Sequence, residues 1–117
     1  MSASAEYVEY VRDLLLGGQG FSDLRTKKYF GGVAFRSDQL GTDTQFAVIL
    51  NDVLYFVVDN STRPLYQAKN MNPFSYDKKT GKVIVEKWYT APEELFEDAE
   101  MMNEWAQQAL TAAVNLK

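Results

Sequence analysis

The 117-residue chain contains neither cysteine nor histidine. Without cysteine it cannot form disulfides, offer a thiolate nucleophile or hold a metal ion through sulfur. Without histidine it lacks the commonest general base and the commonest metal ligand, which excludes catalytic arrangements of the Ser-His-Asp and Cys-His kinds. We therefore expect no catalytic residues, no metal and no cofactor, and a protein that acts by binding rather than as an enzyme.

Long hydrophobic runs are also missing. The longest apolar segments cover residues 46–50 and 53–58, far fewer than the about 20 residues that a helix needs to span a bilayer. Residues 1–5 offer neither a basic region nor an apolar one, and so do not have the pattern of a signal peptide. We expect a cytoplasmic protein without membrane contact.

The composition fits one domain over residues 1–117. Hydrophobic residues make up 46% of the chain, which suffices for a single core at this length. The formal net charge is −4, and a negative charge disfavours contact with nucleic-acid phosphates. Basic residues are concentrated in segments 25–36 and 61–87, and acidic residues after position 88. We do not expect direct binding to nucleic acid.

Hydrophobic periodicity predicts the order α-β-β-β-β-α-β-β-α. Helices are expected at 4–16, at 62–69 and after Asp98, and strands at 21–30, 33–35, 46–50, 53–58, 73–76 and 82–89. This order predicts an α+β domain of two layers, with a mostly antiparallel sheet of five or six strands and helices on one face.

Several local signals refine this prediction. Asn51-Asp52 suits a tight hairpin turn with positive φ, and Asn70 suits the left-handed position that closes the second helix. That helix is expected to bury Leu65 and Ala68. Residues 90–93, Thr-Ala-Pro-Glu with Pro92 inside, predict a capping box that opens a short helical turn, and Asp98 is expected to cap the last helix.

Residues 28–35, Lys-Tyr-Phe-Gly-Gly-Val-Ala-Phe, superficially match an RNA-recognition pattern whose sheet aromatics stack on bases. Two positions fail, because Tyr29 replaces a glycine and Gly32 replaces an aromatic residue. The order of strands and helices also differs from that of the RNA-binding fold. We favour a structural interpretation, in which Gly31 and Gly32 permit a bulge or a sharp bend between strands.

Five carboxylates follow closely after position 92: Glu93, Glu94, Glu97, Asp98 and Glu100. Paired carboxylates can perform acid–base chemistry or bind hard metal ions. These residues stand where helices are predicted to begin, however, and acidic side chains there stabilise the helix dipole. Capping is the favoured interpretation, and a carboxylate-based hydrolase is the third alternative for the function.

Aromatic residues and lysines occur together between residues 71 and 89. Aromatic side chains on neighbouring strands can line a groove, and adjacent lysines can receive an anion or an acidic peptide. Packing in the core explains the same aromatics equally well. The candidate interaction surface comprises Met71, Phe74, Tyr76, Lys78, Lys79, Lys82, Trp88 and Tyr89.

A series of short motifs runs along nearly the whole chain: Tyr7-Val8, Leu14-Leu15, residues 28–32, 46–49 and 52–55, Asp59, Arg63-Pro64, residues 71–76 and 88–94, Asp98 and Trp105-Ala106. In this order they resemble the N-terminal domain of the TfoX/Sxy family, known from regulators of bacterial natural competence. The chain departs from the family at Tyr29, where methionine is usual, at Asn70, where glycine is usual, and in a longer loop at 37–45. The regulators carry a second, C-terminal domain, whereas we expect a stand-alone N-terminal domain here.

The resemblance implies an α+β fold similar to that of secretion chaperones, often dimeric, with no enzyme activity. It also implies that action on DNA passes through a partner activator. Two hypotheses follow for this chain. The leading one is a protein-interaction domain that modulates a transcriptional regulator, with a protein partner and a homodimer as further expectations. The alternative is a binding module for a small ligand or an acidic peptide, with a chaperone-like role.

Overall fold

The computed structural model describes residues 3–17, 21 and 23–117. Its elements are, in chain order, α1 (Ala5–Gly17), β1 (Arg25–Tyr29), β2 (Gly32–Ser37), β3 (Thr44–Leu50), β4 (Val53–Val57), α2 (Arg63–Ala68), β5 (Pro73–Lys78), β6 (Gly81–Thr90), a short 3-10 helix (Glu93–Glu97) and α3 (Ala99–Asn115). This succession confirms the predicted order and the α+β class. Within the described residues no helix has both the length and the apolar character needed to cross a membrane.

The six strands form one antiparallel sheet in the order β1-β2-β3-β4-β6-β5. One face of this sheet carries the helices. Tyr89 of β6 lies on the same face as its cross-strand partner Phe56, and its ring is 6.0 Å from that of Tyr66 in α2. Tyr66 in turn contacts Trp105 of α3 at 4.7 Å. The helices therefore cover one side of the sheet, as the sequence predicts.

The opposite face is covered by the sheet itself, because the sheet curls strongly. Tyr29 of β1 and Trp88 of β6 are separated by four strand spacings in the sheet order, which would be about 19 Å in a flat sheet. Their ring centroids are 5.6 Å apart. The curl buries the concave face around the central strand β3, so that Val48 and Leu50 are each only 1% exposed. The sheet thus has a helix-covered convex face and a self-covered concave face.

Two tight turns with positive φ join β1 to β2 and β3 to β4. Tyr29 pairs with Gly32 around Phe30-Gly31, whose φ angles are 48° and 78°. Leu50 pairs with Val53 around Asn51-Asp52, whose φ angles are 54° and 56°. Positive φ at both central residues is the geometry of the turn that matches the twist of a hairpin. The hairpin predicted at Asn51-Asp52 is confirmed, and Gly31 lies in the predicted sharp bend.

Two local predictions about the helices are wrong. In α2 the buried residue is Tyr66, whereas Leu65 is 44% exposed and Ala68 is exposed as well. The six-residue helix is too short for a full apolar face, and its one large inward side chain takes the core position. The predicted capping box at residues 90–93 does not form, because Thr90 belongs to β6 and its hydroxyl donates to the Asn72 carbonyl.

The other helix ends agree with the sequence. Asp98 accepts hydrogen bonds from the backbone N–H groups of Glu100 and Met101, both at 3.1 Å, and so caps α3 as predicted. Asn70 has φ of 61° after α2, in the left-handed region. Pro92 immediately precedes the 3-10 helix. The ends of α2 and α3 are therefore set by residues whose local preferences were visible in the sequence.

Candidate interaction groove

An apolar groove opens on the concave side of the sheet, with a volume of about 400 Å³. We name this groove the interaction groove and define it by its six lining residues, which come from the β1–β2 turn, the end of β3, and strands β5 and β6. These residues are Phe30, Leu50, Phe74, Tyr76, Val85 and Trp88. None of these six described residues carries a carboxylate, ammonium or guanidinium group, so the groove offers mainly apolar contact, with the Tyr76 hydroxyl as a polar group.

The floor of the interaction groove is an aromatic cluster. Phe74 sits at its centre, with ring centroids 5.2 Å from Tyr55, 5.8 Å from Trp88 and 5.9 Å from Tyr76. Phe74 and Trp88 are 6% and 7% exposed, so the cluster also belongs to the concave core. Aromatic pairs at these separations stabilise each other beyond their buried area. The floor of the groove is therefore packed as part of the folded core.

The backbone irregularity between β5 and β6 determines which residues reach the floor. Phe74 pairs with Val85 whereas Pro73 pairs with Tyr89, so the register shifts between these two pairs. Simple alternation along β6 would put Val85 and Trp88 on opposite faces. The shift brings both of them to the groove. A period-2 pattern in the sequence could not have predicted this.

Phe30 forms the rim, and it is unusual in two respects. Its side chain is 73% exposed, although it is a large apolar group. Its φ of 48° lies in the left-handed region, which an aromatic residue adopts only at a conformational cost. The Phe30 ring is held by the ring of Tyr29, with an edge-on contact at 4.6 Å. The turn thus presents an exposed aromatic side chain over a buried aromatic floor.

Gly31 and Gly32 have different structural roles in positioning Phe30 at the rim of the groove. Gly31 has φ of 78° and supplies the second left-handed position of the turn. A Cβ atom on Gly32 would stand 2.0 Å from the carbonyl oxygen of Ile49 and 2.7 Å from a methyl of Leu50. Gly32 therefore allows β2 to approach the end of β3, which brings the turn to the groove.

The three lysines of the predicted surface do not all lie on the groove side of the sheet. The Lys78 ammonium lies 5.8 Å from the centre of the Tyr76 ring, at the end of the groove. Lys79 is exposed in the β5–β6 turn. Lys82 pairs with Asp77, and this pair follows the groove-side pair of Tyr76 and Val83. Because successive pairs alternate between the two faces of a sheet, Lys82 faces the convex side.

Two further residues of the predicted surface also lie outside the groove. Tyr89 is 5% exposed and faces the helices, where its hydroxyl accepts a hydrogen bond from Gln67 Nε2 at 3.5 Å. Met71 is half-buried against the core, and its N–H donates to the Tyr66 carbonyl. The structure brings together Phe74, Tyr76 and Trp88, with Lys78 beside them. Sequence reasoning missed Phe30, Leu50 and Val85, although a large apolar residue before Gly-Gly was a signal for Phe30.

The acidic cluster after position 92 is dispersed. Glu94 pairs with Lys69 at 2.6 Å, and the Lys69 hydrogen bond lowers the pKa of the Glu94 carboxyl. Asp98 caps α3. In the part of the chain that the structure describes, no group of three or more acidic side chains is placed to bind a metal ion. Glu94 and Asp98 therefore have local structural roles.

A second charged cluster links the first strands. Asp43 contacts Arg25 Nη2 at 2.7 Å and Arg36 Nη2 at 3.0 Å, and the hydrogen bond from Arg36 lowers the pKa of the Asp43 carboxyl. Next to it, a hydrogen bond between the carboxyls of Asp23 and Asp38 raises the pKa of Asp38 and lowers that of Asp23. This network lies at the opposite end of β2 from the Phe30 turn, and it ties β1 and β2 to the start of β3.

In a comparison with protein families, the family model described as TfoX N-terminal domain matches residues 17–113. The match begins at the last residue of α1 and covers every strand, the interaction groove and most of α3. No curated protein matches the chain.

Proposed function

The chain belongs to the TfoX N-terminal domain family, and we propose that it is a non-enzymatic protein-interaction domain that modulates a transcriptional regulator. The observation that carries this proposal is Phe30, an aromatic side chain that is 73% exposed and held in a left-handed conformation at the rim of an apolar groove. Strained, exposed residues of this kind persist where function requires them. Buried aromatic anchors at the centre of an apolar pocket are also typical of binding hot spots.

The absence of histidine and cysteine from the sequence supports a binding role over a catalytic one. The lining of the groove is mostly apolar, and the six described residues that form it include no nucleophile with an adjacent base, the pair that covalent catalysis requires. The net charge of −4 favours action through a protein partner over direct contact with DNA phosphates.

The test is affinity capture of the tagged chain from its own cell lysate, treated with nuclease and analysed by mass spectrometry. The test variant is Phe30→Asn, because asparagine before glycine suits this turn and removes the aromatic ring without straining the backbone. The matched control is Ile84→Thr, which removes an apolar side chain that is 53% exposed on the other face of β6. We expect a transcriptional regulator to be captured by the wild type and the control and to be lost with Phe30→Asn.

Two outcomes would contradict the proposal. Equal recovery of the regulator with Phe30→Asn and the wild type would mean that the groove does not bind the regulator. Recovery that disappears on nuclease treatment would show that DNA, and not a protein contact, connects the two proteins.

The volume of the groove also supports the second candidate, a binding module for a small apolar ligand. Ligand pockets commonly enclose about 300–1,000 Å³, and the interaction groove has about 400 Å³. A thermal-shift screen of metabolites against wild type and Phe30→Asn distinguishes the two functions. A ligand at about 100 times its Kd adds about 2.7 kcal/mol of stability. A shift seen only with the wild type would favour the ligand-binding module, and no shift across the screen would count against it.

A further inference from the structure

The open edge of β5 lies beside the interaction groove, and it offers backbone groups for recognition. β5 is the last strand of the described sheet. Lys78 pairs with Gly81 across the two-residue turn to β6, and residues in this position exchange their backbone hydrogen bonds. Along an antiparallel strand, residues whose backbone N–H and C=O groups bond to the neighbouring strand alternate with residues whose groups point away from it. Ser75 and Asp77 therefore direct their N–H and C=O groups away from β6, toward the open edge.

We propose that the groove binds an extended segment of the partner protein, which adds to β5 as a further strand. Its alternate side chains are apolar and enter the groove, and acidic residues flank them. This inference rests on the proposed function and deepens it, since it names the chemistry of the partner. Addition of a strand to a sheet edge is a recurrent mode of peptide recognition, in which the backbone gives affinity and side-chain pockets give specificity.

The side chains of β5 determine which positions of the partner strand face the groove and which face the convex side. Phe74 and Tyr76 point to the groove side, and Ser75 and Asp77 to the convex side. A neighbouring strand places its residues in the same two rows. Its groove-side residues would lie between Tyr76 and the exposed ring of Phe30. Those positions favour apolar side chains, whereas the convex-side positions face solvent.

The charges at the β5–β6 turn determine the flanking residues of the partner. Lys78, Lys79 and Lys82 stand within five residues, and all three are exposed. The carboxylate within this segment, Asp77, points to the convex side, where Lys82 is its cross-strand neighbour. The groove end of the turn is therefore positive through Lys78 and Lys79. Carboxylates at the adjoining end of the partner segment complement this charge.

The other open edge of the sheet does not meet these conditions. β1 exposes Arg25, Lys27 and Lys28 along a five-residue strand. Charged side chains on an edge strand oppose the addition of further strands. β5 carries its charges, Asp77 and Lys78, only at its last two positions, and residues 73–76 before them are uncharged. Of these two edges β5 is therefore the one that is chemically suited to strand addition.

A single-stranded nucleic acid fits the groove less well than a peptide. Such ligands bind by stacking their bases on exposed aromatic faces. Phe74 and Trp88 are only 6% and 7% exposed, so their ring faces are already in contact with other side chains. Among the four aromatic residues that line the groove, Phe30 is exposed and Tyr76 is half-buried, so the groove lacks a series of exposed ring faces for successive bases.

The experiment starts from a displayed library of random twelve-residue peptides, selected on the full chain. Enriched peptides are synthesised and their Kd values are measured by fluorescence anisotropy, with oligo-dT as the nucleic-acid probe. The test variant is Ser75→Pro, because proline removes the outward N–H and is tolerated on an edge strand at such a position. The matched control is Ser75→Ala, which keeps the backbone N–H. A second test introduces N-methyl groups at successive peptide positions, and it does not depend on the fold of any variant.

We expect the enriched peptides to alternate apolar residues with others and to carry acidic residues toward one end. Ser75→Pro should weaken binding at least tenfold, Ser75→Ala less than twofold, and N-methylation should weaken binding only at alternate positions. Several results would overturn the inference: no enrichment, apolar residues at helical spacing, equal binding by Ser75→Pro, tighter binding of oligo-dT, or a wild-type dimer that Ser75→Pro dissociates. If one of these occurs while Phe30→Asn still abolishes capture of the regulator, strand addition is wrong and the proposed function remains.

Discussion

The two positive-φ turns of the sheet have nearly the same backbone and very different residues. Asn51-Asp52 has φ angles of 54° and 56°, and Phe30-Gly31 has 48° and 78°. Asparagine and aspartate tolerate this conformation, and both are exposed, so the β3–β4 turn is explained by folding alone. Phenylalanine does not tolerate it well, and its ring is 73% exposed. The β1–β2 turn therefore holds an exposed aromatic residue at a position whose backbone suits asparagine better.

The largest expected effect concerns the residue after each turn. Gly32→Ala places a Cβ atom 2.0 Å from the backbone oxygen of Ile49, and neither strand can yield without breaking the register. We expect a loss of about 4 kcal/mol or more, which reaches the exceptional range for one substitution. The matched change after the other turn, Val53→Ala, removes a half-buried side chain and should cost about 1–2 kcal/mol.

Urea denaturation of both variants measures this difference. A Gly32→Ala protein that loses no more stability than Val53→Ala would mean that β2 and β3 are not in such close contact. The placement of Phe30 over the groove would then need another explanation.

The next effect comes from transferring the aromatic residue to the other turn. Asn51→Phe puts a phenylalanine at φ of 54°, and the left-handed conformation costs an L-residue about 1–2 kcal/mol. Because this position is exposed, little new burial offsets that cost. Asn51→Gly is the control and should stay within about 0.5 kcal/mol of wild type. If Asn51→Phe is as stable as Asn51→Gly, backbone strain at Phe30 no longer argues for function.

The reverse change should separate stability from binding. Phe30→Asn relieves about 1–2 kcal/mol of backbone strain and loses the edge-on contact with Tyr29, which is worth about 0.5–1.5 kcal/mol. We expect the free energy of unfolding to rise by about 0.5 kcal/mol, while capture of the partner is lost. Denaturation and capture on the same preparations measure both quantities. A variant that is destabilised by more than about 1 kcal/mol would indicate that Phe30 is needed for folding.

The sequence predicts the β3–β4 half of the molecule better than the groove. The two apolar runs and Asn51-Asp52 define the central hairpin by local preference alone. Lys82 and Tyr89 belong to the candidate surface in the sequence prediction because both lie in the same predicted strand as Trp88. A strand residue changes face when the register shifts by an odd number of positions, and the irregularity between Pro73 and Phe74 moves the partner of Phe74 by three positions, from Trp88 to Val85.

The curl of the sheet is the other feature that local patterns do not contain. It results from the pairing of the six described strands, and together with the close approach of the strands at Gly32 it brings Phe30 and Leu50 to Phe74 and Trp88. Tyr66 was missed for a related reason, because a helix of six residues has no periodicity from which to identify its buried side. The aromatic residues of the groove were predictable by type, and their assembly was not.

The smallest expected effect concerns how each hairpin is anchored. β3 and β4 are held by apolar packing on both faces, whereas β1 and β2 are tied to β3 by Arg25 and Arg36 on Asp43. The Arg36 hydrogen bond lowers the pKa of Asp43 in the folded state. Its contribution is therefore complete above the ordinary Asp pKa and is lost as the pH falls through the lowered folded value.

Asp43→Asn should be slightly less stable than wild type at pH 7, and the difference should vanish in acid once the wild-type carboxyl is protonated. The pair is exposed, so the difference at pH 7 should also shrink in about 1 M salt, where screening is strong. Thermal denaturation across the acid range, at low and high salt, measures both dependences. A difference that persists in acid and in salt would mean that Asp43 acts through packing or through its backbone carbonyl, which accepts a hydrogen bond from Lys117 Nζ at 2.6 Å. In that case the β1–β2 hairpin would not differ from the β3–β4 hairpin in being held by charge.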